Sequence, residues 1–176
     1  MTAVFASTEH LPGLAELIER RKKLGQDRYD EVWDGVYHVA ATSRFGHSRL
    51  QLQLGVVLTG LAPSGLIVGG PANIGSSEQD HRVPDLVVLR EPAEDSVLWL
   101  PTAAMVVEVR SPGDETYAKF GFYHGQGVEE ILVADPAERA LLLFVRDPAG
   151  EYLRTEDSAV FGVNLQEIGR HLGGWP

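Results

Sequence analysis

Three side chains in this sequence have the types and spacing to do chemistry together. Asp85 follows Val83-Pro84. Glu108 sits inside the apolar run Val106-Val107-Glu108-Val109-Arg110-Ser111-Pro112. Lys119 follows on a segment that reads as a helix. A carboxylate beside a core is costly unless something positive meets it. A divalent cation would do so, and a nearby lysine would complete a site for phosphodiester chemistry. The plainer reading is a Pro-Asp turn and acids at strand ends facing water. Glu108 in an otherwise apolar run favours a site. Strand alternation points it away from Val107 and Val109, to the face of Val106 and Arg110. Mg2+ takes oxygen ligands at about 2.0–2.1 Å, so Asp85, Glu108 and the Val109 backbone carbonyl would suit it. An ion pair of Glu108 with Arg110 or Lys119 accounts for the same pattern equally well. Lys119 could instead be an ordinary surface lysine. His47, near a helix start, is a candidate general base or phosphate contact, or a partly buried, hydrogen-bonded histidine. Glu31 lies on a strand beside Trp33, where a surface acid is commonplace. His10, His38, His81, His124 and His171 show no metal-ligand spacing.

The elements that must position these residues are legible in outline. Leu11, Leu14, Leu17 and Ile18 recur at helical spacing, and Arg20-Arg21-Lys22-Lys23 closes that segment before Gly25. Asp34-Gly35 marks a hairpin within 29–39. The stripe Leu50, Leu54, Val57, Leu58, Leu61 predicts a helix over 43–61, ended by Pro63. Strands are expected over 65–70, within 73–82, and over 85–89 and 104–109, with 91–102 a connecting loop. A helix is expected over 113–126, then a meander of strands at 131–134, 140–145 and 151–155. The tail from Val160 to Pro176 has no clear pattern. There is no internal repeat or interdomain linker.

The 176 residues fit one domain, 1–176, with an N-terminal helix in 1–25, a core over 29–155 and a tail over 156–176. The chain has no cysteine, which excludes disulfides, thiolate metal sites and a cysteine nucleophile, and agrees with a cytoplasmic setting. No run approaches the ~18 apolar residues of a membrane span, and Met1 to Thr8 do not read as a signal peptide. The net charge of -10 argues against coating nucleic acid by bulk electrostatics. It does not argue against an enzyme whose acids hold metal. A G-x-S-x-G elbow, a P-loop, a dinucleotide fingerprint and an aromatic-rich basic sheet are all missing.

Taken in order, Glu31-Val32-Trp33-Asp34-Gly35, the helix with His47, Val83-Pro84-Asp85-Leu86-Val87-Val88, the Glu108 run, the pair Lys119 and Tyr123, and Gly127-Val128-Glu129-Glu130 leading to Asp135-Pro136 resemble the PD-(D/E)XK nuclease superfamily. More narrowly they resemble its Uma-type branch of small bacterial proteins described as restriction endonucleases. The resemblance spans about Tyr29 to Leu153. It implies an α/β (α+β) fold, with a mixed central β-sheet flanked by helices and an additional hairpin and meander. It implies a metal site from Asp85 and Glu108 with Glu31 as an additional acid. The superfamily's usual lysine position holds Arg110 here, and the Uma-type pattern resembles a lysine that has migrated to the next helix, Lys119. Arg110 is then a phosphate contact or an ion-pair partner, and His47 a contact to the substrate backbone. The implied activity is Mg2+- or Mn2+-dependent endonucleolytic hydrolysis of DNA by a homodimer. The alternative is a non-catalytic dimeric binding or regulatory module that keeps the fold, and a weaker third reading is a metal hydrolase for a small phosphate ester.

Overall fold

The computed structural model describes residues 3–5, 13–94 and 96–172. In chain order the elements are β1 (Ala3–Phe5), α1 (Leu14–Lys23), β2 (Glu31–Trp33), β3 (Val36–Val39), α2 (Phe45–Leu61), β4 (Leu66–Gly69), β5 (Asn73–Ser77), β6 (Asp80–Arg82), β7 (Leu86–Arg90), β8 (Trp99–Leu100) and β9 (Met105–Val109). A 3-10 turn (Thr116–Lys119) leads into α3 (Phe120–Gly125). Then come β10 (Glu130–Asp135), β11 (Ala140–Arg146), β12 (Tyr152–Thr155), β13 (Asp157–Ser158), β14 (Val163–Asn164) and α4 (Leu165–His171). The strands form two six-stranded sheets. One runs β1-β3-β2-β6-β5-β8, the other β12-β11-β10-β9-β7-β4, and β13 and β14 make a small separate pair. This is a mixed α+β architecture, with mixed sheets flanked by helices.

The second sheet is the centre of the molecule. Its middle strands β9 and β10 are parallel and buried along their whole length, as strands covered on both faces must be. Met105, Val107 and Val109 face one apolar layer, where Leu50, Leu54 and Leu58 of α2 meet Leu165 and Ile168 of α4. Val106 faces the other, with Tyr123 of α3 and Ile74 of the first sheet. The three α2 leucines are fully buried. Truncating any one to alanine is expected to cost about 2–5 kcal/mol. Glu108 falls on the second face by strand alternation, toward α3 and the first sheet.

Turn chemistry fixes the first sheet. Asp34 (φ 49°) and Gly35 (φ 81°) make the tight β2–β3 hairpin that pairs Glu31 with His38. Gly75 lies where the β5–β6 register shifts. Its φ is 147° and a Cβ there would come within 2.6 Å of the Asp80 carbonyl oxygen, so only glycine fits. The polar 73–82 stretch is thus a two-stranded hairpin, and the expected 91–102 loop carries the short β8.

Two readings are corrected. The expected continuous helix over 113–126 is a turn, a 3-10 segment and six residues of α-helix. Gly113 (φ 74°), Gly121 and Gly125 weaken helix propagation, and the segment follows the contacts of Lys119 and Tyr123 instead. The patternless tail forms β13, β14 and α4. Asn164 caps α4 by accepting from the Gln166 N–H at 2.9 Å. Glu130, almost fully buried, anchors this tail by accepting from Ser158 Oγ (2.6 Å) and the N–H groups of Ala159 (2.7 Å) and Val160 (3.1 Å). The first helix begins at Leu14, and Leu11, Pro12 and His10 lie outside the described residues. Among the described residues no helix is long and apolar enough to cross a membrane.

Candidate active site

Asp85 sits immediately before β7, where the chain leaves the first sheet for the second. Its Oδ2 accepts the Val109 N–H at 2.7 Å, and its Oδ1 lies 2.8 Å from His47 Nε2. His47 Nδ1 is 3.3 Å from Ser111 Oγ. One turn further along α2, Gln51 Nε2 donates to the Asp85 carbonyl at 2.7 Å. α2 therefore grips both the side chain and the main chain of Asp85. The β7–β9 ladder ends at Leu86↔Val107, and beyond it the Asp85 side chain takes the Val109 N–H in place of a main-chain acceptor. Pro84, just before, has no N–H to offer the Val109 carbonyl.

Glu108 accepts from the Tyr123 hydroxyl at 2.6 Å and from Lys119 Nζ at 3.1 Å. Lys119 Nζ also donates to Glu31 Oε1 at 2.8 Å. Glu31 belongs to the first sheet and Glu108 to the second, so one ammonium joins the two. Glu31 is itself held by three donors. The Val83 N–H reaches its Oε1 at 2.8 Å, and Trp33 Nε1 reaches its Oε2 at 2.7 Å. Trp33 in turn stacks on His38 at 4.2 Å, with the Arg82 guanidinium 4.7 Å from its centroid.

Burial pushes the Glu108 carboxyl up to about 7, helped by the nearby Asp85 and Glu31 charges and opposed by Lys119 and the Tyr123 hydrogen bond. Burial alone would lower the Lys119 ammonium, but Glu108 and Glu31 outweigh it and raise it. The hydrogen bond to Asp85 raises His47 against the pull of burial. Three carboxylates thus share one buried ammonium and one histidine, an excess of negative charge in a desolvated place. A hard divalent cation fits that charge and an all-oxygen donor set. Among the described residues, no three His, Cys, Asp or Glu side chains form a ready metal cage. The reason is visible in the contacts: Lys119 stands between Glu31 and Glu108, and donors already occupy both Glu31 oxygens. Donors also reach both Asp85 oxygens and Glu108 Oε1, so a cation held by Asp85, Glu108 and the Val109 carbonyl would displace some of these contacts.

The chain matches the Uma2 family, described as "Putative restriction endonuclease", over residues 15–167. It belongs to this family. No curated protein matches. Among solved structures, it is similar to "a putative nuclease belonging to DUF820 from Anabaena variabilis", with a TM-score of 0.62 and 15% identity over 88% of this chain and 98% of that one. That likeness concerns the fold. A DrdV–DNA complex matches with a TM-score of 0.37 and 11% identity, over 71% of this chain and 11% of that one, too low to define a shared fold.

In this Uma2 chain the expected site residues fall into two groups. Glu31, Asp85, Glu108, Lys119 and His47 are linked through direct contacts or through the Glu108–Val109 backbone. Arg110 is turned aside. It pairs with Asp135, approaches Asp114 at 3.9 Å, and lies 5.2 Å from the Tyr117 ring centroid, with a third of its side chain exposed. Sequence reasoning missed Gln51 and the Trp33–Arg82 support. Gln51 stands four residues after His47 and so on the same helix face, a signal hidden by the local alternation of leucine and glutamine. Arg82 donates to the Val32 carbonyl at 2.8 Å and lies 4.0 Å over Phe122. Nothing in the local sequence around it announces that role.

Proposed function

We propose that the protein is a Mg2+- or Mn2+-dependent endonuclease that hydrolyses DNA phosphodiester bonds. One observation carries the reading. A buried lysine is shared by carboxylates from two sheets, beside an aspartate that α2 holds by both side chain and backbone. A structural ion pair needs one acid for one lysine, whereas this arrangement keeps a surplus of buried carboxylate. Family membership and the fold of the DUF820 protein support the same class.

Asp85, Glu108 and the Val109 carbonyl would hold the cation, which supplies Lewis acidity at the scissile phosphate. The chain's own residues do the rest. His47 and Gln51 fix Asp85, and Tyr123 fixes Glu108. Glu31 acts through Lys119, holding its Nζ so that a remaining proton can be donated to the attacking water or to a phosphate oxygen as charge develops there. Water adds across one P–O bond, and the departing oxygen takes up a proton. Arg110, partly exposed and held by Asp135, would contact a neighbouring phosphate. DNA is the proposed partner, and a homodimer the proposed assembly.

The test is incubation of purified protein with plasmid, single-stranded DNA and RNA in Mg2+ or Mn2+, beside Asp85→Asn. Cleavage of DNA by the parent alone is expected. Equal cleavage by both proteins would sink the site assignment. No cleavage of any nucleic acid would favour the non-catalytic module.

A further inference from the structure

The acids of this chain are distributed unevenly. Residues 35–77 contain no Asp or Glu, and their only Lys or Arg residues are Arg44 and Arg49, so all 25 acids lie elsewhere. That acid-free stretch includes the whole of α2 and the edge strand β4. Arg44 and Arg49 are exposed and join none of the salt bridges among the described residues. Between them is Phe45, 83% exposed, on the same turn as His47. Leu52 (69%) and Val56 (67%) continue the outward stripe. Phe45, Arg49, Leu52 and Val56 lie at helical spacing, opposite the buried Leu50, Leu54 and Leu58. Beside the stripe is a groove of about 530 Å³ lined by Gln51, Leu52, Gly55, Val56, Gly69 and Leu86. Gln51 also holds Asp85 and Leu86 follows it, so the groove leads away from the candidate site.

We infer that this outer face of α2 is the docking surface for an unpaired DNA strand next to the cut, with Phe45 stacking on a base and Arg44 and Arg49 contacting phosphates. The inference rests on the nuclease reading. In a chain of net charge -10, a polyanion is least repelled where acids are missing. An exposed aromatic beside an apolar groove offers a platform for base faces, which a paired duplex keeps stacked. A second copy of the chain fits less well. The face carries cations and no acid, so a two-fold contact would bring like charges together.

The experiment is fluorescence anisotropy with a labelled single-stranded oligodeoxynucleotide and its duplex, in EDTA and again in Ca2+, with cleavage measured separately. The parent is expected to prefer the single strand. Phe45→Ala should weaken that binding roughly 5- to 150-fold, the loss of one stacked base. Arg44→Gln with Arg49→Gln should flatten the logarithmic salt dependence by about 1.4, from ~0.7 per phosphate contact on a single strand. Arg154→Gln, a control on β12 at the opposite edge of the sheet, should bind like the parent. The inference is overturned if the α2 variants bind like the parent, if duplex is preferred, or if the parent binds neither DNA. It is also overturned if Phe45→Ala changes only the sedimenting mass, which would make this face a contact between copies. A protein that cuts DNA while the α2 variants behave as the parent fails this inference and not the nuclease reading. A protein that binds through α2 and cuts nothing does the reverse.

Discussion

Glu108 should make the metal-free protein less stable as pH rises, and Glu108→Gln should remove that loss. The carboxyl is 5% exposed and held up to about 7 in the fold, against 4.5 for a free glutamate. A carboxyl whose folded pKa lies above its unfolded value stabilises the fold at low pH. That contribution is complete below about 4.5 and disappears as pH rises through about 7. A gap of this size corresponds to roughly 3 kcal/mol, at ~1.4 kcal/mol per unit. His38 and His81, both lowered by burial, act with the opposite sign. They favour the fold above the ordinary histidine pKa and lose that contribution as pH falls. They are present in both proteins and cancel in the difference. The assay is urea unfolding of parent and Glu108→Gln at pH 5, 6, 7 and 8 in a chelator, with the slopes compared to confirm a common transition. The variant should gain on the parent by roughly 2.5 kcal/mol between pH 5 and pH 8, since part of the contribution is already lost at pH 5. Parallel pH profiles would refute the claim that Glu108 is a strained carboxylate awaiting positive charge.

Three further outcomes are expected. Mg2+ or Mn2+ should raise the melting temperature, by about 2.7 kcal/mol of linkage when free metal is ~100 times its dissociation constant. An equal shift in Glu108→Ala would put the ion elsewhere. In single-turnover assays Lys119→Ala should lose ~100- to 1000-fold in cleavage rate, whereas Arg110→Ala should chiefly weaken substrate binding in a salt-dependent way, and the reverse pattern would exchange their roles. Glu130→Ala should destabilise the protein by several kcal/mol without changing its metal response, because the buried Ser158 hydroxyl and Val160 N–H, together with the Ala159 N–H, lose their acceptor, and a loss under about 1 kcal/mol would show that the tail is anchored otherwise.

What could be read from the sequence divides along the range of the interactions. β7 and β9 were legible because Leu86 to Val88 and Met105 to Val107 are apolar and bounded by turn formers. α2 was legible because Leu50, Leu54 and Leu58 repeat at helical spacing. In the first sheet only the Asp34-Gly35 hairpin was legible, because the sheet's order depends on the pairing Val32↔His81 between short strands far apart in the chain. α3 was overextended because its helical residues are few and its position is set by Lys119 and Tyr123 reaching Glu108. α4 was missed because seven residues, two of them buried, give too little periodicity. The acids of the site stood out through their apolar neighbours. Gln51, Trp33 and Arg82, which hold those acids in place, look like ordinary surface residues until the sheets are assembled.

The same contacts make the site part of what joins the fold. Lys119 Nζ is the point where Glu31 of the first sheet and Glu108 of the second meet, and Glu31 also ties down the Val83 N–H at the crossover between them. Removing one partner from a buried charge cluster typically costs 3–5 kcal/mol, because the remaining charges are left unpaired. A chain that served only as a scaffold could replace all three with apolar residues of similar size and lose little. Keeping Glu31, Glu108 and Lys119 together leaves Glu108 strained, and a bound cation would relieve that strain. If the cluster is the proposed metal site, stability in the absence of metal is expected to be lower than this fold could reach with apolar residues in its place.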